Sequence, residues 1–212
     1  EQPINPYYDQ VDLDHKKAIL EHKQIHDLLI KAGIKVATVP SPSDCQDGVY
    51  TANWALVRGD KAVLARLPNA RKKEEAYAEK ILECLGKKVY CVPKGYKFSG
   101  QGDSLACGDL LFCGSGYRSD AEAQKYAAKK LGYKRVQLKA VPELNEKGKP
   151  VTNKSSGWQD SFFYDIDLAI AIIKAPEDGE KGLIAYCPDA FTQKSREKLE
   201  KLDSVDKIKV SL

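Results

Sequence analysis

Methionine is missing from all 212 residues, an initiator included, and histidine is nearly so: His15, His22 and His26 are its only copies. With no histidine beyond position 26, a Ser–His or Cys–His catalytic pair in the core is nearly excluded for the chain as given. His22 and His26 stand at i, i+4, a spacing that could hold a metal but reads far more readily as a solvated helix face. The six cysteines (45, 84, 91, 107, 113 and 187) occur singly and form no CxxC pair. They read as buried free thiols of a reducing, cytoplasmic compartment and argue against a disulfide frame or a zinc site. No apolar stretch approaches the ~18 residues that span a bilayer, and no secretory leader opens the chain. A basic run with interleaved aromatics is also lacking. The 34 Lys+Arg and 30 Asp+Glu, net +4, are mixed along the predicted helices, so neither nucleic acid nor membrane is implied as a partner. The chain begins Glu1-Gln-Pro and ends within a predicted strand at Val210-Ser-Leu212, as processing or trimming would leave it.

What is present is a repeat. Gly59-Asp-Lys-Ala-Val-Leu-Ala-Arg66 opens one copy and Gly108-Asp-Leu-Leu-Phe-Cys opens the next, 49 residues later. Tyr77-Ala78 and Tyr126-Ala127, Leu82 and Leu131, and Pro93 and Pro142 keep the same offset. A looser copy runs from Gly182-Leu-Ile-Ala-Tyr to Ile208-Lys-Val-Ser-Leu. Such a period marks one supersecondary unit that buries its apolar face only against its neighbours. Helices are predicted over 14–32, 71–85, 120–131 and 192–202, with Asp14, and Ser119 or Asp120, as caps. Strands are predicted over 34–39, 49–57, 62–65, 88–92, 104–106, 110–113 and 135–139, and the run 162–173 is apolar enough for burial on both faces. Residues 143–160 read as a polar surface hairpin or loop. Paired strands before each helix favour α/β architecture with repeated ββαβ blades around an axis, within a single domain over 1–212.

Chemistry collects in the polar turns. Asp47-Gly-Val-Tyr-Thr-Ala-Asn53 ends in a carboxamide, and Phe98-Ser-Gly-Gln-Gly-Asp103 offers Ser99, Gln101 and Asp103 between two glycines. Tyr164-Asp165-Ile-Asp167 sets two carboxylates at i and i+2, which share one face if the segment is a strand. Like charges so placed repel unless a cation lies between them, and a guanidinium is the cation best matched to carboxylates. Arg66 and Arg118 follow the opening strands of successive units. Converging strands would bring both guanidinium groups to one pocket, able to clamp a substrate carboxylate.

These segments resemble the guanidino-group-modifying enzyme superfamily of pentein fold, which includes dimethylarginine dimethylaminohydrolase, arginine deiminase and the amidinotransferases. Asp47-Gly-Val-Tyr-Thr-Ala-Asn-Trp-Ala is similar to its D-x-V-F-T-A-N-A segment, and Arg66-Leu-Pro-Asn-Ala-Arg-Lys-Lys-Glu-Glu75 to R-P-G-A-x-x-R-R-x-E. Phe98 to Asp103 is similar to F-E-G-x-G-D/E, Gly116-Tyr-Arg-Ser-Asp120 to G-x-R-T-D/N, and Phe163 to Asp167 to F-Y-H-L-D. The resemblance implies five blades around a central site, of which about four are present. It also implies a Cys nucleophile in a last blade that an intact product would carry ~60–70 residues further on. Asp47, Asn53, Asp103 and Asp167 would line a guanidinium pocket, with Arg66 and Arg118 on the substrate's α-carboxylate. Thiolate attack on the guanidinium carbon would give an amidino-enzyme that water or an amine resolves. Ser99 stands at the family's catalytic Glu position and Asp165 at its His position. The implied partner is a small guanidino or amino-acid substrate, with no cofactor or metal and a homo-oligomer left open. The alternative is a catalytically inactive pentein that binds such a ligand or a protein.

Overall fold

Two Gly-Asp pairs close the hairpins on which the fold is built. Gly59 (φ 58°) and Gly108 (φ 62°) take the left-handed conformation that two-residue hairpin turns demand and side chains resist. In the computed structural model, which describes residues 14–40, 42–45, 47–154 and 156–211, these turns join β1 (Ala55–Arg58) to β2 (Lys61–Leu64) and β4 (Ser104–Cys107) to β5 (Leu110–Cys113). Helices α2 (Lys73–Cys84) and α3 (Ala121–Leu131) then carry the chain back to β3 (Lys88–Cys91) and β6 (Lys134–Gln137). Each of these last strands pairs parallel with the strand before its helix. The third sheet repeats the order with β7 (Ile170–Lys174), β8 (Gly182–Tyr186), α4 (Gln193–Glu200) and β9 (Val205–Lys209). Three complete ββαβ blades therefore stand among the described residues, where the resemblance implied about four.

The structure divides into two compact units, Glu1–Ser41 and Pro42–Leu212. The first contains α1 (His15–Lys31), capped by the Asp14 carboxylate, which accepts from the amides of Lys16 and Lys17 at 3.0 and 3.1 Å. Its His26 ring lies 3.1 Å from the Asp27 carboxylate. The strand expected over 34–39 is irregular instead.

The second unit holds all three blades, and its cores lie between consecutive blades. Ala123, Ala127 and Ala128 are small enough for α3 to lie close upon the preceding sheet, where they meet Leu56, Val63, Leu111 and Phe98. The next interface gathers Phe112, Val136, Ile166, Ile184, Phe191 and Leu199. Several of these side chains are wholly removed from water, each contributing about 1.5–3 kcal/mol. Two expectations fail here. Residues 49–54 form a turn and a 3-10 helix (Thr51–Asn53) ahead of a short β1. The apolar run 162–173 likewise spends its first part on turns and a 3-10 helix (Ile166–Leu168), and β7 exposes Ala171 and Ile173. Hydrophobicity had stood in for strand because the segment is buried, but it is buried as a corner of the interface. Among the described residues no helix is long and apolar enough to cross a membrane.

Candidate functional site

Each blade's first strand is preceded by an irregular segment, and these three entry segments meet. The amide of Gln101 donates to the carbonyl of Ala52 (2.9 Å), and that of Asp167 to the carbonyl of Gly102 (3.0 Å). Backbone bonds thus stitch blade to blade at the places where Asn53, Ser99, Asp103, Asp165 and Asp167 lie. Gly102 is required there: a Cβ on it would come within 2.3 Å of Asn53 Nδ2 and 3.0 Å of Asp165 Oδ2.

Asn53, Ser99 and Asp165, all buried, form one hydrogen-bonded group. Asn53 Nδ2 donates to Ser99 Oγ (2.9 Å) and to Asp165 Oδ2 (3.1 Å). The guanidinium of Arg118 stands 3.4 Å from the same Asp165 oxygen and lies over the Tyr164 ring, 3.9 Å from its centroid. Asp165 Oδ1 is buried and has no hydrogen-bond partner among the described residues. A buried carboxylate oxygen without a protein partner costs free energy unless a proton, a water or a ligand answers it.

Four carboxyls crowd the region, and all are pushed up from the ordinary range. For Asp103, burial acts first and Asp165 second, while the Ile166 amide, donating at 3.1 Å, opposes them. For Asp165, burial outweighs the opposing pull of Arg118 and of its hydrogen bonds from Ser99 and Asn53. Asp167 is exposed as a residue, yet desolvation of its carboxyl and then Asp165 bring it to about 7. Asp47 is raised by burial against the pull of Arg71 and Arg118. Arg118 favours the ionised form of Asp47, Asp165 and Asp167 alike. The expectation that Asp165 and Asp167 share a strand face is corrected: a 3-10 turn buries the first and exposes the second.

Arg66 lies apart from this group. Its Nη1 donates to Glu75 Oε2 (2.9 Å), and Glu75 Oε1 accepts from the Leu67 amide (2.9 Å). Arg66 and Arg118 also follow the second strands of their blades, β2 and β5, not the first. The residue missing from the sequence-based list is Arg71. It is buried against Glu74, with Nε to Oε1 at 2.9 Å and Nη2 to Oε2 at 2.8 Å, and Trp54 Nε1 donates to the same Glu74 (3.0 Å). Arg71 Nη1 donates to Asn53 Oδ1 (3.0 Å), which fixes the amide so that its NH2 faces Asp165. The i, i+3 spacing of Arg71 and Glu74 was visible, but that spacing ordinarily marks a surface pair. No described cysteine takes a place in the group. The nearest electrostatically, Cys113, is pushed up to about 12 by burial and, to a lesser degree, by Asp103, far from a thiolate at neutral pH.

The chain is similar to known proteins over most of its length. Residues 4–156 match the family described as N,N dimethylarginine dimethylhydrolase, eukaryotic. The N(G),N(G)-dimethylarginine dimethylaminohydrolase of Mycobacterium tuberculosis is 30% identical over 204 residues, 94% of this chain and 58% of that protein. The bifunctional arginine dihydrolase/ornithine cyclodeaminase AgrE of Nostoc sp. is 29% identical, over 93% of this chain and 25% of its own length. The chain thus spans just over half of one of these curated relatives and a quarter of the other. Among solved structures, the N-terminal domain of ArgZ, a cyanobacterial arginine dihydrolase, in a Cys-to-Ser mutant bound to substrate, superposes with a TM-score of 0.76 at 28% identity. That match covers 98% of this chain and 70% of the other. A dimethylarginine dimethylaminohydrolase adduct with S-methyl-L-thiocitrulline shares the fold at a TM-score of 0.65 and 15% identity, over 92% of this chain and 66% of that one.

Proposed function

The chain belongs to the family described as eukaryotic N,N dimethylarginine dimethylhydrolase, and from that premise we propose that it binds the guanidino group of an arginine-like substrate among Asp103, Asp165 and Asp167. In this reading it is a hydrolase of amidine C–N bonds. The observation that carries it is the unpaired, buried Asp165 Oδ1, held in place by Asn53 and set beside Arg118. A planar cation with paired N–H donors answers such an oxygen. Arg118, whose guanidinium is already at the rim of the cluster, would take the substrate's carboxylate, and Tyr164 gives it a flat surface to lie on.

The chemistry follows from the resemblance. A cysteine thiolate attacks the guanidinium carbon, the C–N bond to the leaving amine breaks, and the amine departs with a proton. Water then attacks the amidino carbon, the C–S bond breaks, and thiol and ureido product are released. Asp165 and Asp167 are the residues suited to move those protons, because their raised carboxyls give up and take protons nearer neutrality than an ordinary Asp. The thiolate itself is supplied by no described cysteine. Ser99 and Asp165, at the family's Glu and His positions, support a second reading, a guanidino-binding chain without turnover.

Calorimetric titration with arginine, N,N-dimethylarginine and citrulline tests the common core of both readings. Citrulline keeps the amino-acid end but lacks the cation, so it should bind roughly tenfold or more weakly. Equal affinities for arginine and citrulline would remove the guanidino assignment. Release of citrulline from either arginine compound separates the hydrolase from the silent binder.

A further inference from the structure

A cavity of about 520 Å³ opens beside Arg66, and its walls include none of Asn53, Ser99, Asp103, Arg118, Asp165 or Asp167. Four cations line it, Arg66, Lys72, Lys94 and Lys97, against the single carboxylate of Glu75. Glu75 is already committed to Arg66 at 2.9 Å. Lys97 is anchored: its Nζ donates to the Tyr117 carbonyl (2.9 Å), stands 3.7 Å from Asp120 and lies 5.1 Å from the centroid of Trp158. Its backbone is fixed by Asp120 as well, whose carboxylate accepts from the Lys97 amide at 2.8 Å. Lys72 and Lys94 have no ion-pair partner among the described residues and are exposed to the cavity's water. The remaining wall is aromatic, from Trp158 and Tyr96.

Uncompensated ammonium groups around a concave surface concentrate anions, because low-dielectric walls focus the field between them. From this we infer that the cavity is a binding site for a small, multiply charged anion, an organic phosphate or a polycarboxylate, held by Lys72, Lys94 and Lys97. Trp158 lies against its uncharged part. The site is distinct from the guanidino cleft yet close to it along the chain. Lys97 is followed by Phe98, whose backbone bonds to Arg66 in both directions, and by Ser99, which accepts from Asn53. An occupant would therefore touch the segment that ends in the cleft.

Equilibrium dialysis with labelled pyrophosphate, and with labelled citrate in a second arm, tests this at constant ionic strength. Saturable binding of a single anion per chain is expected in at least one arm. The double variant Lys72→Ala/Lys94→Ala should weaken it by roughly tenfold, since two charged contacts are lost. Arginine binding, measured on the same variant, should stay unchanged, which separates this site from the guanidino cleft. Preference for pyrophosphate assigns an organic phosphate, and preference for citrate a polycarboxylate. No saturable binding in either arm, or undiminished binding in a correctly folded double variant, overturns the inference.

Discussion

The first and second blades carry the same helix position to different ends. Glu75 on α2 and Gln124 on α3 are 49 residues apart and equivalent in the repeat. Glu75 captures Arg66 and the Leu67 amide within its own blade. Gln124 is uncharged and donates instead to the carbonyls of Asp103 (2.9 Å) and Gly114, fixing the entry to β4. The backbone bond beneath them is common to both, Ala65 to Trp54 (2.9 Å) and Gly114 to Asp103 (3.1 Å). With the frame held constant, the same helix position holds a different neighbour in each blade. The first blade spends its arginine on its own helix, whereas the second leaves Arg118 free to meet Asp165 from the third. Repeats preserve scaffold, and the departures from them build the site.

That comparison can be broken most sharply at Glu74, the neighbour of Glu75. Glu74→Ala leaves the buried Arg71 guanidinium without its carboxylate and should destabilise by about 3–5 kcal/mol. Glu75→Ala, which breaks a partly buried pair and the bond from the Leu67 amide, should cost less, about 1–3 kcal/mol. Urea denaturation of the two variants measures both, and similar losses would show that Arg71 is not the keystone of the first blade. Next in size is Gly102→Ala. Its methyl would be driven into Asn53 and Asp165, costing about 1–3 kcal/mol, and it should weaken arginine binding along with stability. A variant that binds normally would mean that the Asn53–Asp165 bond is dispensable. The two arginines come third: Arg118→Ala should lower arginine affinity roughly tenfold, and Arg66→Ala by no more than about twofold. Equal losses would restore the expectation that both reach one pocket.

A further effect is in pH. A carboxyl raised in the folded state holds its proton longer there than in the unfolded chain, so it contributes less stability as pH climbs. For Asp167 this decline runs from the ordinary Asp value of about 4 up to about 7, then stops. Arginine binding should move oppositely, strengthening as Asp167 ionises through about 7. Asp167→Asn should flatten both trends; profiles unaltered by it would assign the titration to another group.

How much of this was legible in the sequence follows from the same contrast. The ββαβ units could be read because Gly59-Asp and Gly108-Asp turns, apolar strands and capped helices recur at one offset, and each is a local signal. Asn53, Ser99, Asp103 and Asp165 were legible from polar residues beside glycine or apolar strands, and the structure draws them together. Arg71 and Glu74 were not, because their burial is created by Trp54 and Asn53 packing over them from a segment some twenty residues earlier. The strand expected over 34–39, and the first part (49–54) of the one expected over 49–57, failed for a related reason. Apolar and β-branched residues there raise strand propensity, but only pairing partners make a strand. Arg66 was misplaced because its nearest carboxylate, Glu75, sits nine residues away on the helix, a distance that periodicity does not advertise.

The guanidino cleft stands or falls on Asp165. Arginine titrated into wild type and Asp165→Asn side by side, with the fold of each checked by denaturation, gives the most direct reading. Removing that single negative charge, while keeping the side chain's shape, should weaken binding by about 1.5–3 kcal/mol, roughly ten- to hundredfold. Affinity unchanged in a folded Asp165→Asn would mean that the unpaired oxygen faces no guanidinium and that the ligand is held elsewhere.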